Sequence, residues 1–118
     1  DNHEKMYKSR SGMKLHFDDE KKMMTLATPA GNSIVLSEDE KSLTLADQNG
    51  NKIRMDSDGI HLERAKAVVL TASTETKMEA ATAFEIKAGS ELKLEGSASA
   101  ELKGGGMAKL SGAMVQIN

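Results

Sequence analysis

Apolar residues in the second half of the chain recur every eight positions. Blocks begin at Ile60, Val68, Thr76, Phe84, Leu92, Ala100 and Ala108. The third position of each block is Leu62, Leu70, Met78, Ile86, Leu94, Leu102 and Leu110. Thr76 is the only polar residue in these two columns. Apolar residues at i and i+2 alternate as in a strand, which points both side chains to one face. On a helix the same two residues would fall on nearly opposite sides. The fifth and sixth positions are almost all Gly, Ala or Ser, from Ala72 and Ser73 to Gly112 and Ala113. Residues this small suit a tight corner, so each block reads as a short strand plus a corner. The last block is one residue short and leads to a final pair, Val115 and Ile117.

A strip of two side chains per block is too narrow to fill the lumen of a single-chain solenoid. Stacked blocks need neighbours. Three chains wound about one axis solve this, each block supplying one side of a triangular prism. The expected fold is therefore all-β, an intertwined homotrimeric triple-stranded β-helix built on octapeptide repeats. Its expected core is Ile60, Leu62, Val68, Leu70, Thr76, Met78, Phe84, Ile86, Leu92, Leu94, Leu102 and Leu110.

The outward columns carry alternating charge. Position two runs Lys77, Glu85, Lys93, Glu101, Lys109, and position four runs Glu79, Lys87, Glu95, Lys103. If block n of one chain lies beside block n+1 of the next, every step pairs opposite charges, and a one-block slip pairs like ones. Cross-strand pairs of this kind are worth ~0.2–1 kcal/mol each. Their main expected effect is on register.

The first half shows the same pairs on a looser spacing. Met13, Leu15 and Phe17 alternate, followed by Met24/Leu26, Ile34/Leu36, Leu43/Leu45 and Ile53/Met55. Turn segments separate them, with Asn49-Gly50 and Asp58-Gly59 the strongest turn signals. This predicts a polar, frayed lead-in over 1–11, an irregular β-prism with longer corner loops over 12–59, and the regular octad β-helix over 60–118.

Composition sharpens the need for partners. The chain has 118 residues, 38% of them hydrophobic but only 3% aromatic. That is little bulky volume for a self-sufficient core. A net charge of −2 argues against nucleic acid as a main partner. The absence of Cys excludes disulfides and thiolate metal sites. No apolar run is long enough for a membrane-spanning helix. A start at Asp1 suggests a piece of something longer.

Little in the chain suggests chemistry. Asp18-Asp19-Glu20 is a solvated turn rather than a poised acid/base pair. Asp47, Asn49, Asn51 and Asp58 loosely follow a calcium-loop spacing but lack its glycine and terminal Glu, so they read as turns. His3, His16 and His61 are scattered, and the last two sit at outward positions. A ring of three Thr76 side chains on the axis would pack mainly through methyl groups. Gly104-Gly105-Gly106 lacks the Lys-Ser/Thr of a phosphate loop. Neither enzymatic activity nor a catalytic, metal or cofactor site is expected.

One ordered set of motifs is more specific. Ser11-Gly12-Met13-Lys14-Leu15-His16-Phe17, Gly31-Asn32-Ser33-Ile34-Val35-Leu36, Asn49-Gly50-Asn51-Lys52-Ile53 and Asp58-Gly59-Ile60 precede the octads and the closing Gly112–Asn118. Together they resemble the C-terminal β-helical spike of VgrG proteins, the tips of type VI secretion and related contractile injection systems, themselves similar to phage central spikes. The resemblance implies a homotrimeric needle driven through a target membrane. It also implies effector cargo, baseplate and tube contacts through other domains, and a PAAR-repeat cap at the far end. The open strand edge at Val115, Gln116, Ile117 and Asn118 is the expected cap site. Such a needle would be assembled in the bacterial cytoplasm and then ejected. A phage tail spike or fibre shaft, or a bactofilin-like solenoid, is the structural alternative. A hexapeptide acyltransferase needs a period of six.

Overall fold

The computed structural model describes residues 3–64 and 66–118. The chain divides into two compact units, Asp1–Thr74 and Glu75–Asn118. Strands in the described residues number seven, and helices are absent among them: β1 (Glu4–Lys8), β2 (Lys14–Asp18), β3 (Met23–Ala27), β4 (Ser33–Ser37), β5 (Ser42–Ala46), β6 (Lys52–Asp56) and β7 (Gly59–Glu63). They form one sheet in chain order, and every neighbouring pair is antiparallel.

This meander corrects two expectations. Residues 1–11 do not fray throughout, because Glu4–Lys8 pairs with β2 along its whole length. Nor do the segments between the pairs of residues 12–59 turn prism corners; they are hairpin loops that reverse the chain. The cause is a repeat of nineteen residues. Gly12, Gly31 and Gly50 lie nineteen apart, with φ of 93°, 113° and 92°. Each occupies the fourth place of a five-residue loop, where a side chain would be strained. The three loops share one hydrogen-bond scheme. Ser9 N–H donates to the Met13 carbonyl at 2.8 Å, Thr28 to Asn32 at 2.9 Å, and Asp47 to Asn51 at 3.0 Å. The first residue of each loop also lends a side-chain oxygen to the closing N–H, Ser9 to Met13 at 3.0 Å, Thr28 to Asn32 at 3.2 Å and Asp47 to Asn51 at 3.0 Å.

Four-residue loops close the opposite end of the sheet. They place Lys22 and Lys41, again nineteen apart, at φ of 54° and 52°. The preceding Asp18 and Ser37 accept N–H groups from Lys21 and Glu40 at 3.1 and 3.0 Å. Asp56 accepts the Asp58 N–H in the shorter turn into β7 at 2.9 Å.

Beyond β7 the chain changes character. Among the described residues of 64–118 there is no strand and no backbone–backbone hydrogen bond. Bends instead recur at 73–74, 81–82, 89–90, 97–98 and 105–106, with one more at 113. These are the sixth and seventh positions of the octads. A Cβ added at Gly96 would fall on the Ser99 carbonyl, and one at Gly104 on the Met107 carbonyl. The later corners are therefore closed by glycine. Ala65 lies outside the described residues. The change of pattern comes after Glu63 rather than at the expected residue 60, because β7 still belongs to the meander.

Candidate functional site: an uncovered apolar face

Strand register sorts the meander into two faces. On one face, Leu15 stands opposite Leu26, Leu26 opposite Ile34, Ile34 opposite Leu45, Leu45 opposite Ile53, and Ile53 opposite Leu62. A second row on the same face joins Phe17, Met24, Leu36, Leu43, Met55 and Ile60 in the same way. The apolar surface is thus two residues wide and unbroken from β2 to β7. Tyr7 continues the first row into β1, whereas Lys5 ends the second.

The other face is polar. His16 meets Glu4 at 3.0 Å, and His3 meets Glu20 at 3.2 Å in the adjoining turn. Arg54 reaches Asp56 at 2.9 Å and Glu40 at 3.6 Å, and His61 lies 3.7 Å from Asp56. The Arg54 hydrogen bond comes first among the causes that hold the Asp56 carboxyl below its ordinary range, with the Asp58 N–H adding to it. Asp18 is lowered chiefly by the Lys21 N–H. Asp47 is pulled down to about 2, first by the Asn51 side chain and then by the N–H groups of Asn51 and Asn49. Of the acids singled out in the sequence, Asp18 and Asp47 are therefore loop anchors. Among the described residues no group of three His, Asp or Glu side chains could hold a metal ion.

No hydrophobic side chain is buried among the described residues; Ser37 alone is, at 6% exposure. A compact monomer of this mass would expose about 6,200 Å². This chain exposes 11141 Å². Ile60 and Leu62 lie on the open face of β7. Val68, Leu70, Met78, Phe84, Ile86, Leu92 and Leu110 are exposed, Leu94 at 81% and Leu102 at 84%. Thr76 is exposed as well. Val115 and Ile117 are also bare, as are Gln116 and Asn118.

The charged columns are solvated too. Within one chain Lys77 lies 3.7 Å from Glu75, Lys93 3.8 Å from Glu91, and Lys103 3.1 Å from Glu101. Exposed pairs like these contribute little alone. Glu75 and Glu91 were not among the columns singled out in the sequence. They stand sixteen residues apart, and that double period is the signal that marks them.

A family model described as the phage baseplate V C-terminal trimerisation domain matches residues 23–118. The chain belongs to this family. No curated protein matches it. Membership in a trimerisation domain implies a homotrimer. It also gives the chain a structural part in a phage-tail-like spike, in keeping with the resemblance read from the motifs. The match begins at Met23, inside the meander. The nineteen-residue pattern starts earlier, at Ser9 and Gly12.

Proposed function

We propose that this trimerisation domain is the shaft of a membrane-puncturing spike in a contractile injection system. Three chains bring their apolar faces to a common axis. In the octads each chain crosses one side of a triangular prism per block, and the bends at every eighth residue are its corners. The result is an intertwined triple-stranded β-helix. The recurrence of those bends in a segment whose described residues make no backbone hydrogen bond to one another is the observation that carries this reading. Such a segment satisfies its N–H and C=O groups best by pairing with other chains.

Each covered Leu or Ile would contribute ~1.5–3 kcal/mol. Hydrogen bonds running between chains along the shaft would resist compression collectively. The columns Lys77–Lys109 and Glu79–Lys103 fix the stagger between neighbours. Val115, Gln116, Ile117 and Asn118 offer the strand edge on which a PAAR-type cap sits, and effectors and the baseplate attach through other domains. The spike assembles in the bacterial cytoplasm and leaves it on contraction.

Light scattering tests the assembly. A discrete particle of about 38 kDa, three times 12.7 kDa, that survives warm detergent is the expected result. A monomer or an open-ended polymer would refute it. Deleting residues 115–118 should abolish PAAR-cap binding and leave the trimer intact.

A further inference from the structure

The loop 47–51 differs from its two equivalents in the reactivity of its third residue. That residue is Asn49, where the other loops carry Ser11 and Ala30. Asn49 is the only Asn in the chain followed by glycine; Asn32 precedes Ser33 and Asn51 precedes Lys52. A glycine nitrogen has no side chain beside it to block approach to the preceding carboxamide. The Gly50 N–H is also the most loosely held of its set. It lies 3.5 Å from the Asp47 carbonyl, against 3.0 Å for Gly12 to Ser9 and 3.1 Å for Gly31 to Thr28. The Asn49 carboxamide is itself weakly tied, its Nδ2 lying 3.4 Å from Asp47 Oδ2. Asn51 and Asn32 donate their Nδ2 groups at 2.8 and 3.0 Å, to Asp47 and Gln48.

We propose that Asn49 is a site of spontaneous covalent self-modification. The Gly50 nitrogen attacks Asn49 Cγ. The new N–Cγ bond forms as the Cγ–Nδ2 bond breaks, and ammonia leaves with the proton taken from Gly50. Water then opens the five-membered imide at either carbonyl, leaving an aspartyl or isoaspartyl residue. Water is the only co-reactant. The product carries a negative charge two residues from the Asp47 carboxylate, whose pKa is held down by the loop N–H groups and the Asn51 side chain. The isoaspartyl form also lengthens the backbone of a loop that is fastened to its neighbour, where Gln48 N–H donates to Asn32 Oδ1 and Asn32 Nδ2 donates to Gln48 Oε1, both at 3.0 Å. Ageing therefore loosens the loop stack.

The test is to hold the full chain in mildly alkaline buffer and follow peptide masses over days. Asn49 should gain the mass of an NH-to-O exchange at least about tenfold faster than Asn32 or Asn51. The Asn49→Ala variant, which carries the residue of the 28–32 loop, should lose that fast phase. Conversion of Asn49 no faster than the other two would overturn the proposal. Peptide mapping of the unaltered chain separates these outcomes even if the variant fails to fold.

Discussion

The meander and the octad segment set out an apolar face in the same way and hold their backbones in opposite ways. In both, a pair of apolar residues two apart marks each strand-length piece. In residues 3–63 every piece pairs with its chain neighbour, and loop side chains lock each reversal. In residues 66–118 no backbone pairing occurs within the chain among the described residues. A local turn can thus set strand register for one half, while the other half has no such turn within the chain among the described residues. One sequence device serves both halves, because alternation fixes the apolar face and leaves open which strand lies alongside.

The largest expected effect breaks the octad half alone. Leu94→Asp places a carboxylate in the proposed core of all three chains, a cost of several kcal/mol per site. The particle should fall from about 38 kDa to 12.7 kDa. Amide exchange should then show protection surviving in β2–β6 and absent after residue 66. Retention of the trimer would defeat the shaft assignment.

Gly31→Ala attacks the other half. At φ 113° a Cβ is strained by ~1–2 kcal/mol, so the meander should lose about that much stability in thermal melts while trimer mass holds. Gly104→Ala is its octad counterpart. There the corner has to open, and the loss should appear as easier dissociation in detergent.

Smaller again is Glu85→Lys, which in the proposed register puts like charges beside Lys77 and Lys93. It should weaken the trimer by ~0.2–1 kcal/mol per contact, and Lys77→Glu in the same chain should restore part of the loss. Equal destabilisation of the single and double variants would remove the register role.

The smallest effect is a pH response confined to the meander. Asp47 has a folded pKa of about 2 against 3.8 when free. Because the folded value is depressed, its contribution is complete above the free value and fades as pH falls from about 4 toward 2. Asp18 and Asp56 shift the same way. Asp47→Asn should flatten the acid limb of the melting curve, most visibly in the 47–51 loop.

Much of this could be read before any coordinates. The apolar pairs from Leu15/Phe17 to Ile60/Leu62 occupy one face, as their spacing requires, and the octad bends fall at positions six and seven, one residue later than the small-residue columns at five and six. The direction of the chain at each turn was not legible from the pairs, since a corner and a hairpin both follow a two-residue apolar strip. The deciding signal was the nineteen-residue spacing of Gly12, Gly31 and Gly50, which pairs of seven-to-eleven-residue spacing obscure. β1 was missed because Glu4–Lys8 alternates weakly, with Met6 and Tyr7 adjacent. The intrachain partners of Lys77 and Lys93 escaped notice because Glu75 and Glu91 occupy a column that Ala83 and Ser99 interrupt.

The loop that begins at Ser9, Thr28 or Asp47 accepts three different residue types, since each needs only to present one oxygen to the closing amide. Hairpin pairs joined by such loops behave as interchangeable tiles. Adding or removing one tile changes the sheet by two strands and leaves every remaining side chain on its original side. The length of this part of the molecule can therefore vary in fixed increments without redesign of the rest.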